Sequence, residues 1–147
     1  MTYQGIAFPD IDPVAVHFGP FGLRWYSLAY LAGIVCAWFL VRRMVRRYPG
    51  QVTETMVDDV IFWGTVGLIA GGRLGYVLFY NLGYYLENPS QILALWKGGM
   101  SFHGALIGVI IAVWFYARSV KTGFFHFTDI LACVTPIGLF FGRLANF

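Results

Sequence analysis

VIFWGTVGLIAGGRLGYVLFY, residues Val60 to Tyr80, decides the fold. At about 1.5 Å of rise per residue, this run as a helix covers roughly 30 Å, the thickness of a bilayer's hydrocarbon core. Between Val60 and Leu86 its one charge is Arg73, and Gly64, Gly67, Gly71, Gly72 and Gly75 give a flank along which a second helix can approach closely. Arg73, Tyr76 and Tyr80 fall at i, i+3 and i+7, so one face of this helix is polar. A membrane span with a buried arginine on a defined face needs partners, and the rest of the chain supplies them.

Of 147 residues, 59% are hydrophobic, 19% aromatic and 12% charged, too few polar side chains to cover a water-soluble globule. The composition predicts an all-α, polytopic membrane protein with four transmembrane helices, near residues 23–41, 60–82, 98–117 and 130–147. Residues 1–22, with Pro9, Asp10, Asp12 and Pro13 and no Lys or Arg, read as an arm at the membrane surface and lack the basic start of a cleaved signal peptide. Trp25, Tyr26 and Tyr30 open the first span like an interfacial aromatic belt. Thr53 is placed to cap a helix that begins with Glu54.

The connectors after the first and third spans hold Arg42, Arg43, Arg46, Arg47, Arg118 and Lys121, whereas the connector after the second holds Lys97 alone. That asymmetry predicts an external N-terminus. The basic residues sit in these connectors, with no basic helix interleaved with surface aromatics, so nucleic acid is not an expected partner. Cys36 and Cys133 lie within apolar runs, without metal or redox spacing, and read as small core residues.

Three polar side chains interrupt the hydrocarbon. Counting helix rise from the expected boundaries puts Arg73 roughly 21 Å and Arg143 roughly 20 Å above the inner side, and His103 roughly 8 Å below the outer side. All three then share one level in the outer half of the membrane. An arginine at a lipid-facing helix centre costs on the order of 2.5–3.5 kcal/mol, and no span carries a carboxylate to offset it except Asp129 at an inner end. A phospholipid phosphate would supply the missing anion, held bidentately by guanidinium forks. Two other fates are open to these arginines: capping backbone carbonyls, or pairing with segments outside this chain. Histidine, which changes charge near neutral pH, suits a general base, although an interhelical hydrogen bond would equally explain His103. Phospholipid chemistry that depends on divalent metals needs carboxylate clusters, and the sequence has none, so metal-free transfer without a cofactor is the expected reaction type.

Three blocks resemble the prolipoprotein diacylglyceryl transferases of bacteria: Gly71-Gly-Arg73-Leu-Gly-Tyr76-Val-Leu-Phe-Tyr80-Asn81, Gly98-Gly-Met-Ser-Phe-His103-Gly104 and Gly142-Arg143-Leu-Ala-Asn146-Phe147. The last looks like the first half of the family's signature. Arg24 before Trp25-Tyr26 departs from the histidine common there, and Ala145 from the usual glycine. The family's signature continues past Phe147, so the resemblance implies that the chain is an N-terminal portion. It also implies an enzyme of the bacterial cytoplasmic (inner) membrane. That enzyme moves diacylglyceryl from phosphatidylglycerol to the lipobox cysteine thiol of a secreted preprolipoprotein, among membrane lipids. On these positions it implies His103 as base, Arg143 with Arg73 on the phosphate, and Tyr26, Tyr80 and Asn146 around the headgroup. A carrier or channel with an intramembrane His/Arg path is the competing reading, and it would prefer paired internal repeats, which residues 23–80 and 98–147 do not show.

Overall fold

The computed structural model describes residues 14–18 and 21–145. Part of the expected surface arm forms a two-stranded antiparallel hairpin, β1 (Val14–Phe18) with β2 (Phe21–Arg24), irregular between Val14 and Val16. Every regular element after it among the described residues is helical. α1 (Trp25–Arg47) and α2 (Glu54–Tyr80) lead to a connector made of α3 (Leu82–Glu87) and two 3₁₀ turns (Pro89–Leu93 and Leu95–Lys97). α4 (Phe102–Ser119) and α5 (Phe124–Ala145) complete the chain, and α5 runs through Pro136. Four of these helices, α1, α2, α4 and α5, are long and apolar enough to cross a membrane. The fold is the all-α, four-span arrangement that the composition predicts.

The helices differ from the apolar runs at their ends, each time for a local reason. α1 continues through its arginines because two of them find carboxylates: Arg42 bonds Glu54 (3.0 Å) and Asp58 (3.3 Å), and Arg46 bonds Glu54 at 2.6 Å. Half the basic run is thus a tie to the first turns of α2 as well as a topological signal. α2 starts at Glu54 because the Thr53 hydroxyl accepts from the Met56 N–H. α4 starts at Phe102, four residues after Gly98, because Gly98 and Gly99 take φ of +78° and +83°, incompatible with a right-handed helix. Ser101 then caps the helix, its hydroxyl accepting from the Gly104 N–H at 3.2 Å.

α2 packs on α4 and α1 on α5. In the first pair the glycines of the two helices face each other, Gly67 against Gly108, Gly71 against Gly104 and Gly108, Gly75 against Gly104. A Cβ on Gly75 would stand 2.7 Å from the Gly104 Cα, closer than packed carbons can come. Backbones that meet this closely gain dispersion energy all along the seam, which replaces the hydrophobic drive that lipid does not supply. The second pair closes where Gly33 meets Gly138.

The two pairs join at the arginine-rich end, where Val41, Val57, Val60, Val113, Phe127 and Val134 are buried together. Around this cluster the Trp38 indole N–H donates to Asp58 (2.6 Å) and the Tyr116 hydroxyl to Asp59 (2.9 Å). Cys36 and Cys133, expected in the core, are exposed on α1 and α5. In lipid an apolar run has an outward face as well as an inward one, and both thiols fall on it.

Thermal unfolding of the full-length gene product in detergent checks this packing. Gly71→Val has no room beside Gly104 and Gly108 and should destabilise by about 1–3 kcal/mol. Gly64→Ala, with nothing within 4 Å of its new methyl, should be neutral or stabilising by up to ~1 kcal/mol. Asp58→Ala should cost about 1 kcal/mol, mostly through the orphaned Trp38 indole, since half-exposed ion pairs contribute little.

Candidate active site

All the described residues singled out by the sequence lie toward the end of the bundle opposite the arginine-rich core. Tyr26 is the second residue of α1, Tyr80 the last of α2, His103 the second of α4, and Arg143 lies two residues before the end of α5. Asn146 lies outside the described residues. Antiparallel packing produces this gathering, because α1 and α4 begin where α2 and α5 finish.

Arg73 is buried, only 4% exposed. Its guanidinium has five N–H groups, and five carbonyls of the connector take them. Nε donates to Ile92 (2.8 Å), Nη2 to Gln91 (2.8 Å) and Ala94 (3.2 Å), and Nη1 to Gly98 and Gly99 (3.1 Å to the latter). The Tyr85 ring covers one face, 5.3 Å from the guanidinium carbon. The anion expected for this arginine is therefore replaced by the partial charges of the chain's own peptide groups, the carbonyl-capping alternative. Two of these carbonyls are shared, since Gln91 and Ala94 also accept from the Ala94 and Lys97 N–H groups of the 3₁₀ turns (3.1 and 3.2 Å).

The rest of the polar face of α2 runs along the connector. Tyr76 packs against Gly99, where a Cβ would stand 2.5 Å from its ring, and Tyr76 stacks on Tyr80 with centroids 5.5 Å apart. Tyr80 itself is exposed.

His103 shares the level of Arg73 along the α2 and α4 seam, since Gly104 packs between Gly71 and Gly75. It sits in the first turn of α4, closer to the helix end than the expected depth of roughly 8 Å, because the helix begins late. Its imidazole is exposed and meets Phe102 edge-on, with centroids 5.7 Å apart. Arg143 is also exposed. Among the described residues no hydrogen bond or ion pair engages either side chain, nor joins them to each other or to Arg73.

Between Tyr26 and Arg143 stands a residue that the motif reading passed over as belt. The Tyr26 hydroxyl donates to that of Tyr30 (3.1 Å), and the Tyr30 ring packs on Gly142, so close that a Cβ there would stand 3.1 Å from its hydroxyl. Tyr30 thus links the start of α1 to the turn of α5 that carries Arg143. Its position four residues after Tyr26, on the same helix face, was the available signal.

Along the α2 and α4 seam runs an open groove of about 390 Å³, lined by Trp63, Leu74, Phe79, Ile107, Ile111 and the seam glycines. The lining has no charged residue. Among the described residues no three His, Cys, Asp or Glu side chains come together as metal ligands would.

Comparison with known proteins bears on the same blocks. Residues 13–147 match the family model of prolipoprotein diacylglyceryl transferase. The phosphatidylglycerol–prolipoprotein diacylglyceryl transferase of Paramagnetospirillum magneticum is 50% identical over 147 residues, covering 100% of this chain and 54% of that protein. The proteins of the same name from Rhodospirillum rubrum and Azospirillum brasilense are 51% and 52% identical over 97% of this chain, and 52% and 53% of their own lengths are covered. The chain spans about half the length of the curated relatives it matches. With four apolar helices of membrane length and a family match over all but its first twelve residues, the chain is a multi-pass membrane protein and belongs to the prolipoprotein diacylglyceryl transferase family.

Proposed function

We propose that the protein of which this chain forms a part transfers diacylglyceryl from phosphatidylglycerol to the lipobox cysteine of a preprolipoprotein. The reaction takes place in the outer half of the bacterial cytoplasmic membrane. The observation that carries this reading is the family match across residues 13–147, which takes in every block of the site. The names of the relatives specify donor and acceptor.

In this reaction the cysteine sulfur attacks the glycerol carbon that bears the phosphate. A C–S bond forms, the C–O bond to phosphate breaks with its electron pair leaving on oxygen, and the thiol proton passes to a base. The products are a thioether and glycerol phosphate. His103 is the base; its exposed imidazole in the first turn of α4 supports that role. Arg143 receives the charge that grows on the departing phosphate, which a planar guanidinium fork binds through two oxygens at once. Arg73 cannot share that task while its N–H groups are held by the connector. Tyr26, Tyr80 and Asn146 line the headgroup, with Tyr30 orienting Tyr26. No residue here needs a metal or an organic cofactor for these roles.

The test is thioether formation on a lipobox peptide by the full-length gene product in vesicles containing labelled phosphatidylglycerol. Removing the base with His103→Gln should lower kcat by roughly 10²–10⁴, and Arg143→Ala should lower it by roughly 10²–10³. Normal turnover in both variants would sink the site assignment, and an inactive parent would sink the reaction itself.

A further inference from the structure

From Gly98 to Ser101 each residue of the chain is held to α2. Gly98 and Gly99 accept from the guanidinium, and Gly99 also lies under the Tyr76 ring. The Met100 side chain covers Gly72, with its terminal carbon 2.8 Å from where a Cβ would stand. The buried Ser101 donates its N–H to the Gly72 carbonyl (2.8 Å) and caps α4 with its hydroxyl. Two residues later comes His103.

We infer that Arg73 is a positioning residue: by gathering five carbonyls of the connector it fixes the Gly98–Gly99 turn, and through that turn the place of the His103 imidazole. This rests on the reading of His103 as the base. Three features favour it over a direct role on the lipid. Every guanidinium N–H is occupied, so binding phosphate would require breaking bonds to the connector. The side chain is buried, whereas His103 and Arg143 are exposed. The turn it holds has two successive residues at positive φ, a conformation with little intrinsic preference that outside contacts must select. Lysine cannot substitute, because an ammonium has three donors where the connector presents five acceptors.

Arg73→Lys and Gly98→Ala test this in the full-length gene product. The alanine has open space around its methyl, so it strains only the backbone of the same turn and leaves the guanidinium in place. Both variants should lose kcat by roughly a hundredfold, as displaced catalytic groups do, while KM for phosphatidylglycerol stays within about twofold of the parent. A KM that rises tenfold or more in Arg73→Lys with Gly98→Ala fully active would overturn the inference in favour of a phosphate contact. Reduced yield with normal kcat per folded molecule would overturn it in favour of stability alone. A second readout is independent of the reaction. In a background in which every native cysteine of the gene product, Cys36 and Cys133 among them, is replaced by alanine, the labelling rate of His103→Cys by a membrane-impermeant maleimide should change several-fold on adding Arg73→Lys. An unchanged rate would show that the arginine does not set this position, and an inactive parent whose labelling still responds would fault the transferase reading while leaving the positioning intact.

Discussion

The contact on which the structure depends is between two backbones. Where Gly67, Gly71 and Gly75 meet Gly104 and Gly108, no side chain separates α2 from α4, and the main chains come close enough for the Ser101 N–H to reach the Gly72 carbonyl. Lipid gives helices no hydrophobic reason to associate, so dispersion and main-chain polar contacts carry the association, and both fall away quickly with distance. The cap of α4, the level of His103 and the enclosure of Arg73 by the connector all depend on this approach.

The two ends of the bundle solve opposite problems. At the arginine-rich end, carboxylates of α2 meet cations of α1 above a valine-rich core, and the indole of Trp38 and hydroxyl of Tyr116 are satisfied by Asp58 and Asp59. Charge and packing there reinforce each other. At the other end a cation is buried without a carboxylate. Peptide carbonyls compensate it, which leaves the neighbouring imidazole of His103 and the guanidinium of Arg143 open to the surroundings. The connector thus encloses one arginine within the fold while another is left exposed.

The sequence carried the number of spans, because charge-free runs of membrane length have few other uses, and it carried the polar face of Arg73, Tyr76 and Tyr80. It also implied that a buried arginine must be compensated. The identity of the compensating groups was not legible, because carbonyls are present at every residue and only the fold selects five of them. Helix ends were legible where a side chain marks them, as at Thr53. Gly98-Gly99 before Ser101 carried the same kind of information for α4, but an apolar count absorbs glycine into the span. The misplacement of Cys36 and Cys133 has another origin: hydropathy does not distinguish a residue facing lipid from one facing a helix.

The Ser101 bond to Gly72 also bears on how such a chain can vary in length. Upstream, at the exposed joints Asn81 and Asn88 on either side of α3, extra residues can bulge outward while the arginine keeps its hold on the carbonyls nearer α4. Between Gly98 and Phe102 there is no slack: one inserted residue would turn the start of the next helix by about 100°, carrying the imidazole to a different side of the bundle. A change of chain length is thus absorbed at the joints of α3 but not within this short stretch.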